Sequence, residues 1–507
     1  MTFKVLVDWA NDGRFDGTHD DISADVMRAS WRLGARRPYQ LVADESSLRL
    51  ELVNTDGKYT PENAGSPLAG NIKPFRQVRV VWDAGAEHIP LWAGYIDLPE
   101  VRWEVGRRAN FAVIEGFGAK RLLEDEQIAI GYQTDVRSSD IIRQALIQSG
   151  IVSLGERVWL AGVAGFSEAG VSTFAGEAAV FGEIDEGKLI FDAYGDGGTR
   201  SALDVLTSVT QSERGKFWFG RAGGAVWWNR HRALTTLDDD GTVTFGADPT
   251  PVAMEYTFGA NIANIVRATV TPARSDAGEA LWSLDEPVTV GIGREATFEV
   301  RLRRASGQFA GGVNLTATPT FASGAATVTA EARGGIAVIR IDNAAGSVQA
   351  VLAALVVTGE PVVRQNAFTV VARDEESIGQ YGRRVLNVNL GEVGRQSDAA
   401  GVAQFELARR AEARGLVQSI TWRTAFDGIA NAHLIDDWKM GSRLRVVLPD
   451  AHHDDSYFVV GEMHEWRAGE NGVHEATYYL EPVVKGNFWL AGAAGFSEAG
   501  ETTFAGY

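Results

Sequence analysis

Hydrophobic positions alternate with polar ones over most of the chain, which predicts β-strands. Alternating runs separated by turn residues fill residues 1–125, and Asp56-Gly57 followed by Pro61 marks one of the turns. Similar runs return at residues 252–282 and 366–486. The pattern predicts a mainly β chain with α+β portions.

Three stretches change to the helical period. The first follows Ser138 or Ser139, either of which we predict as its N-cap. The second has Leu203 and Leu206 on its apolar stripe, and the third has Ser397 as its predicted N-cap. The first two helices predict an α/β domain over residues 126–251. The third belongs to the later β-rich region.

Residues 283–365 differ in composition from the rest of the chain. Gly, Ala, Thr and Val dominate there, in short alternating pieces such as REATFEVRLRR and GIAVIRIDNA. This pattern predicts an inserted β-sandwich. It divides a second β region, made of residues 252–282 and 366–486, into two parts.

One sequence of about twenty residues occurs twice: WLAGVAGFSEAGVSTFAG at 159–176 and WLAGAAGFSEAGETTFAG at 489–506. Each copy predicts two short strands joined by the SEAG turn, and the second defines a C-terminal module over residues 487–507. A hairpin so small must dock on other structure. Two uses stay open: covering a sheet edge of its own protomer, or anchoring a partner. The apolar residues proposed for docking are Trp159, Phe166, Phe174, Trp489, Phe496 and Phe504.

Charge and cysteine content narrow the function classes. The chain has 48 Lys and Arg against 66 Asp and Glu, a net charge of −18. A protein that binds nucleic acid tightly needs a basic face, so this balance argues against such binding. Cysteine is absent, which excludes disulfides and thiolate metal sites.

Candidate metal and catalytic motifs are incomplete. The segment DWANDGRFDGTHDD resembles a calcium loop, but Ala10 and His19 occupy positions that need oxygen ligands. We predict a turn there. His464 and His474 are expected to approach each other across a hairpin, without the HExxH spacing of a zinc site. The carboxylates of the first segment are Asp8, Asp12, Asp20 and Asp21.

The chain contains neither a GxSxG elbow nor a Walker loop. We therefore predict no catalytic residue, metal or cofactor, and no enzyme. The 14 Trp residues leave one alternative open: a secreted carbohydrate-binding or glycan-cleaving β-protein. Trp9, Trp31, Trp82, Trp92 and Trp103 lie in or beside predicted strands, where core packing is the commoner use.

Three stretches in order resemble a known family. They are VDWANDGRF followed by DDIS, then LELVNTDGKYTPENAGSPL at Leu50–Leu68, then DEESIGQYGRR at Asp374–Arg384. In this order they resemble the tail-tip or baseplate hub proteins, also called minor tail proteins, of tailed bacteriophages. The resemblance covers most of the chain apart from residues 283–365.

The resemblance implies a multi-domain hub of β-barrel-like domains, here with the inserted β-sandwich. It implies a homotrimer around a central channel, in which two barrels per protomer match the sixfold tail tube. Expected partners are distal tail or tail tube ring proteins, the tape measure protein and other tail-tip or receptor-binding proteins. DNA would pass through the channel without specific binding. The location would be the tail tip of a virion assembled in the host cytoplasm.

The resemblance also implies structural roles in the third motif. Asp374 and Ser377 would cap a short turn, Tyr381 would pack, Gly382 would supply a backbone geometry, and Arg384 would be structural; none would be catalytic. The inserted residues 283–365 are expected to contact glycan or host surface, or simply to add bulk. Because the chain continues only briefly after Pro482, a peptidoglycan-cleaving domain is not expected.

Overall fold

A computed structural model describes most of the chain. The described residues are 2–83, 88–104, 109–150, 181–195, 199–246, 251–284, 286–333, 336–391, 393, 396–423, 437–468, 473–484, 488–489 and 504–505. Strands β1 to β6 are Thr2–Val7, Val26–Gly34, Ser47–Val53, Gln77–Asp83, His88–Glu104 and Ala109–Phe117. Strands β7 to β13 are Gln127–Ile128, Gln133–Arg137, Phe181–Ile184, Ile190–Tyr194, Arg200–Ser201, Lys216–Phe219 and Ala225–Trp228.

The remaining strands continue in chain order. Strands β14 to β20 are Gly241–Thr244, Ala253–Phe258, Ile265–Val270, Ala273–Ser275, Glu279–Ser283, Val288–Val290 and Glu295–Arg301. Strands β21 to β26 are Gly311–Ser323, Thr327–Arg333, Ile336–Asp342, Ala350–Arg364, Phe368–Arg373 and Val385–Asn389. Strands β27 to β32 are Gly415–Arg423, Arg443–Leu448, His453–Arg467, Val473–Pro482, Phe488–Trp489 and Phe504–Ala505. Helices α1 to α6 are Ala119–Asp125, Ser138–Gln148, Ala202–Glu213, Arg232–Thr235, Glu375–Tyr381 and Gln396–Ala408.

The largest sheet has twelve strands, which divide into two sets of six. The first set, barrel 1, has the spatial order β1-β4-β5-β6-β3-β2. The second set, barrel 2, has the order β14-β28-β29-β30-β27-β15. The two sets join where β2 pairs with β29. The prediction of a mainly β chain is confirmed.

The two barrels have the same strand order. When the strands of each set are numbered by their position in the chain, both orders read 1-4-5-6-3-2. All neighbouring strands in the two sets are antiparallel except β14 and β28, which are parallel. One topology therefore occurs twice in the chain, with the long connection 259–414 between the second and third strands of barrel 2.

Each barrel encloses its own hydrophobic core. Alternate residues of β2 and β3 are buried, as period-2 strands with one covered face require. The core of barrel 1 includes Trp31, Trp92 and Leu50, and that of barrel 2 includes Trp422 and Tyr478. All five side chains are almost completely buried. Tryptophan thus serves the cores of both barrels.

Between the barrels and the insertion lies an α/β layer with one shared core. Helices α2, α3 and α6 pack in this core with the sheets β12-β13-β9 and β25-β16-β26. The predicted boundaries differ here, because β14, expected in 126–251, pairs with β28 of barrel 2. Helix α6, expected in the second β region, packs against β16 and β25 of that region and contributes to the same core as α2 and α3. Hydrophobic periodicity predicts strands and helices, but it does not show which of them pair or pack together.

The residues predicted as N-caps of two helices lie inside those helices. Helix α2 begins at Ser138, and its N-cap position is occupied by Arg137 without a side-chain cap. Ser138 Oγ instead donates to the buried Glu213 Oε2 at 2.8 Å. Helix α6 begins at Gln396, so Ser397 lies inside it. Tertiary hydrogen bonding replaces local capping at Ser138.

The insertion is a sandwich of two sheets around the core of Val290, Ile339, Leu352 and their neighbours. One sheet has the order β17-β24-β18 with β19 and β21 also paired to β24; the other is β20-β23-β22. Strands β17 and β18 precede the predicted start at residue 283, yet they pair with β24. The sandwich therefore begins at Ala273. The sequence placed its start later because the first strands lack the Gly- and Ala-rich composition that marked the predicted boundary.

The two described strands of the C-terminal module are parallel. Strand β31 pairs with β32 in parallel, with Phe488 opposite Phe504 and Trp489 opposite Ala505. Parallel strands cannot be joined by a tight turn and need a connection of about a dozen residues. The predicted SEAG turn of this copy lies outside the described residues, so the pairing around it stays a prediction.

Candidate functional site: the junction of two barrels

Strand β29 runs from one barrel into the other. Residues 453–458 pair with β28 of barrel 2, and residues 461–467 pair with β2 of barrel 1. Strand β30 accompanies both halves, with one bulge between Val459 and Gly461. At the transition, Ala35 N donates to Val460 O at 2.7 Å. The junction is therefore continuous hydrogen-bonded sheet.

Two glycines allow β2 and β29 to approach at this transition. A Cβ on Gly34 would lie 2.5 Å from Val460 O and 2.6 Å from Gly461 Cα, and closer still to Met440 Sδ. Gly34 also has a φ of +79°, which disfavours any residue with a Cβ. A Cβ on Gly461 would overlap the carbonyl oxygen of Ala35. The junction thus depends on small residues on both strands.

A buried polar cluster lies on β29 and β30 beside the junction. Arg221 Nε donates to both carboxylate oxygens of Glu462 at 3.0 Å, and its Nη2 donates to Trp438 O at 2.8 Å. Glu462 Oε2 is 2.9 Å from His464 Nε2, and His464 Nδ1 is 3.1 Å from His474 Nε2. All these side chains are buried. The predicted approach of His464 and His474 is present, and Arg221 and Glu462 were not anticipated.

Burial sets the ionisation of this cluster. It lowers the pKa of His464, although the hydrogen bond and charge of Glu462 oppose the change. It lowers the pKa of His474 further, with the neighbouring His464 and Arg221 acting in the same direction. Burial alone would raise the pKa of Glu462, but Arg221 and His464 overcome this and hold it at about 2. The cluster is an ion pair beside two neutral imidazoles.

We expect stability to fall with acid from about pH 6.5 downward. The unfolded chain binds protons at His464 and His474 below their ordinary pKa near 6.5, and the folded chain does not, so lowering the pH favours unfolding. Two such histidines set an upper limit of about 3 kcal/mol on the loss between pH 7.5 and 5.5. A second loss follows below about pH 4.5, because Glu462 then binds a proton in the unfolded chain while the folded chain holds its pKa at about 2. Urea unfolding at the two higher pH values measures the first loss.

The control for this prediction is His464→Gln with His474→Gln. This double variant lacks both buried imidazoles, so its loss between pH 7.5 and 5.5 should be much smaller than that of the original chain. An equal loss in both proteins would show that other groups cause the acid sensitivity.

Aromatic rings connect the cluster to barrel 1. Trp31 stacks on His464 at a centroid distance of 4.9 Å and on His474 at 5.7 Å. Phe3 stacks on Trp466 at 4.4 Å, which ties β1 to β29. Barrel 1 and barrel 2 are therefore held together by side-chain packing as well as by the strand ladder.

A second buried charge fastens the α/β layer to barrel 1. Glu406 on α6 is completely buried and receives hydrogen bonds from Arg214 and Arg409, with Arg410 Nε at 3.2 Å. These three cations lower the pKa of Glu406 despite its burial. The guanidinium of Arg410 lies 3.9 Å from the ring centroid of Tyr39, in the loop after β2. The connection is a cation–π contact.

The third motif is an anchored turn. Asp374 is the N-cap of α5 and accepts from Ser377 N at 2.9 Å. Ser377 Oγ donates to Ala411 O at 2.5 Å. Gly382 has a φ of +71°, and a Cβ there would meet no atom within 4 Å, so glycine serves the backbone conformation alone. Tyr381 is half-buried and the side chain of Arg384 is exposed.

Asn264 organises this motif and was not predicted from the sequence. Its Nδ2 donates to Ser377 Oγ at 3.2 Å and to Gly382 O at 2.8 Å, and its Oδ1 accepts from Arg384 N at 2.8 Å. The side chain is completely buried. A lone asparagine more than a hundred positions before its partners carries no local signal, so only the tertiary structure reveals it.

The acidic N-terminal segment forms turns through its own carboxylates. Asp8 accepts from Gly13 N at 2.8 Å and from Asp12 N at 3.2 Å. Asp20 accepts from Gly17 N at 2.8 Å, and burial raises its pKa. Within the described ranges, no group of three or more His, Asp or Glu residues could hold a metal ion.

Most residues of the duplicated segments lie outside the part of the chain that the structure describes. Trp159, Phe166, Phe174 and Phe496 lie outside the described residues. Trp489 and Phe504 are described through their strands β31 and β32. The docking of the two copies therefore stays a prediction.

No family model and no curated protein matches the chain. Solved structures do match. The tail protein from Neisseria meningitidis MC58 has 10% identity over 95% of this chain and 97% of that chain, at a TM-score of 0.49. The 43 kDa tail protein of prophage MuSo2 from Shewanella oneidensis has 12% identity over 94% and 98%, at 0.47.

A third match is prophage tail protein gp18 from Listeria monocytogenes EGD-e, with 8% identity over 94% of each chain and a TM-score of 0.39. The structure is similar to those of phage tail proteins. None of the described helices has both the length and the apolar character needed to cross a membrane.

Proposed function

We propose that this chain is a structural, non-enzymatic component of a phage tail tip, and that three copies form a ring of six barrels. The observation that carries the proposal is the repeated 1-4-5-6-3-2 strand order, which places two units of one topology side by side in each protomer. Three such protomers present six similar units to a sixfold partner. The three ordered sequence motifs support the same assignment.

The junction suits a structural role rather than a catalytic one. It contains a continuous ladder of paired strands, a close approach of β2 and β29 at Gly34 and Gly461, and a buried ion pair between Arg221 and Glu462. These features fix the two barrels relative to each other. His464 and Glu462 are completely buried, so their proximity supplies no base that a substrate could reach.

Four of the five tryptophans in the N-terminal region do not support the carbohydrate-binding alternative. Trp9, Trp31, Trp82 and Trp92 are all buried in the core of barrel 1. A sugar-binding site requires exposed aromatic faces, and these four rings are not available. The proposed contact of residues 283–365 with glycan or host surface would have to use other side chains of the sandwich.

The remaining parts of the proposal follow from a ring at the tail tip. The ring would bind tail tube or distal tail proteins on one face and tip or receptor-binding components on the other, with the tape measure protein nearby. The net charge of −18 on each chain makes the assembly strongly acidic. A channel lined by such a protein would repel DNA phosphates and let the genome pass. The site of action would be the virion, after assembly in the host cytoplasm.

Light scattering coupled to size-exclusion chromatography tests the assembly. We expect a particle of three times the chain mass of 54.7 kDa, populated more fully as protein concentration rises. A monomer at every concentration that also binds polysaccharide would contradict the proposal and favour the carbohydrate-binding alternative.

A further inference from the structure

The fifth strand of barrel 2 shows how one barrel binds the next. Strand β29 leaves β28 after Phe458, and residues 461–467 then pair with β2, the second strand of barrel 1. We call this pairing of a fifth strand with a second strand a seam. Within the described sheet of one chain it is the only pairing that joins one barrel to the other. If the two barrels are equivalent, the fifth strand of barrel 1 has the same capacity.

Strand β5 has the same local construction as β29. Val459 exchanges hydrogen bonds with Gly441 and Ser442, and Ile96 exchanges the corresponding bonds with Phe75 and Arg76. Each strand then contains a bulge against its hairpin partner, after Val459 in β29 and after Ile96 in β5. The match aligns residues 461–467 of β29 with residues 98–104 of β5.

Within the described sheet, the second half of β5 pairs with a strand on one side only. Its pairing with β4 ends at Tyr95, while its pairing with β6 continues to Glu104. Among the described strands, none pairs with the other edge of residues 98–104. Pro99 fits such a position, because proline is confined to edge strands and bulges.

Strand β15 is the equivalent of β2 and also has an open edge. It pairs with β27 on one side, as β2 pairs with β3, and no described strand pairs with its other side. Phe258 is 71% exposed, Val252 49% and Tyr256 39%. An uncovered strand edge with exposed apolar side chains is a site for strand addition.

We propose that residues 98–104 of one copy pair antiparallel with β15 of a second copy, in the register by which β29 pairs with β2. The inference rests on the proposed ring, and it names the surfaces that close it. Three contacts of this kind alternate with three β29–β2 contacts and complete a head-to-tail ring. The two surfaces differ, so the interface is heterologous and closes by rotation.

The register gives opposed charges at the centre of the seam. Through their shared pairing positions, Ser30 and Glu465 correspond to Glu255 and Arg102. Directly opposed charges on antiparallel strands stabilise the pair. The seam within the chain has a similar feature, since Arg28 Nη2 is 3.4 Å from Glu465 Oε2.

The hydrogen-bond phase makes this pair suitable for cross-linking. Ala35 N donates to Val460 O and Ala468 N donates to Met27 O, so hydrogen-bonded pairs fall at every second position between them. Ser30 and Glu465 occupy a position without such bonds, where Cα atoms are about 4.5 Å apart, close enough for a disulfide. In the proposed register, Glu255 and Arg102 also form a pair without hydrogen bonds between them.

Disulfide trapping tests the seam, because the chain has no cysteine of its own. The variant Arg102→Cys with Glu255→Cys should form covalent dimers and trimers on oxidation, and reduction should return single chains. The variant Ser30→Cys with Glu465→Cys should form its disulfide within one chain and keep the single-chain mass. Arg102→Cys with Met254→Cys is the phase control, since adjacent strand residues point to opposite faces, and it should cross-link far less.

The single variants Arg102→Cys and Glu255→Cys provide a second measurement. Each alone should leave the fold intact, and only their mixture should give the covalent dimer. If light scattering shows a trimer but neither the double variant nor the mixture cross-links, the seam is overturned and the ring stands. If the protein is a monomer and no cross-link forms, both are overturned. Equal cross-linking by the phase control would overturn the register.

Discussion

Replacing Arg221 by methionine is expected to lower the free energy of unfolding by about 3–5 kcal/mol. The change leaves Glu462 completely buried without its cation, and Arg221 itself is only 6% exposed, so solvent does not screen the loss. The carboxylate must then bind a proton or unfold the surrounding strands. Urea unfolding at pH 7.5 measures the effect.

Two further variants show whether the loss comes from an unpaired buried charge. Arg221→Met with Glu462→Met removes both charges and should recover most of the stability. Arg340→Met breaks an ion pair with Glu295 whose side chains are 55% and 54% exposed, and it should change the free energy by no more than about 1 kcal/mol. A loss at Arg340 as large as that at Arg221 would refute the assignment.

Replacing Gly34 by alanine is expected to lower the free energy of unfolding by about 2–5 kcal/mol. The φ of +79° accounts for about 1–2 kcal/mol of this. Overpacking against Val460 and Gly461 adds about 1–3 kcal/mol. Because the clash lies between the barrels, the variant should also weaken the pairing of β2 with β29. Urea unfolding and hydrogen exchange at Trp31 and Leu33, whose amides face β29, measure the two effects.

Gly70 provides the matched control for this prediction. It has a φ of +76°, and a Cβ there would meet no atom within 4 Å. Gly70→Ala should therefore show the conformational cost alone, about 1–2 kcal/mol. Equal losses at Gly34 and Gly70 would mean that the close approach of the two strands contributes nothing to stability.

Local pattern was enough to identify the elements of this chain but not their arrangement. The stripe of Leu203 and Leu206 predicted helix α3, and the alternation in SLRLELV predicted β3. The family resemblance implied two barrels, but local pattern could not predict their shared strand order, because that order rests on pairing between residues hundreds of positions apart, as in β14 with β28 or β2 with β29. Such pairing leaves no trace in a periodicity of two.

The site shows the same division. His464 and His474 flank one hairpin, so their approach was predictable, whereas Arg221 reaches Glu462 from a separate part of the chain. Asp374 caps its helix through a local motif that sequence reveals. Asn264, which holds that motif in place, has its partners more than a hundred positions away. The candidate site is built mainly from contacts between residues far apart in the chain, and the sequence alone does not show which of these residues meet.

The chain order of the two barrels also determines when each can form during synthesis. All six strands of barrel 1 precede residue 118, so this unit can fold soon after it leaves the ribosome. Its outer strand β2 then waits for β29, which begins at His453. At 5–20 residues per second this interval lasts on the order of tens of seconds. Throughout that time the nascent protein carries an unpaired strand edge, the feature most prone to wrong association between neighbouring nascent chains.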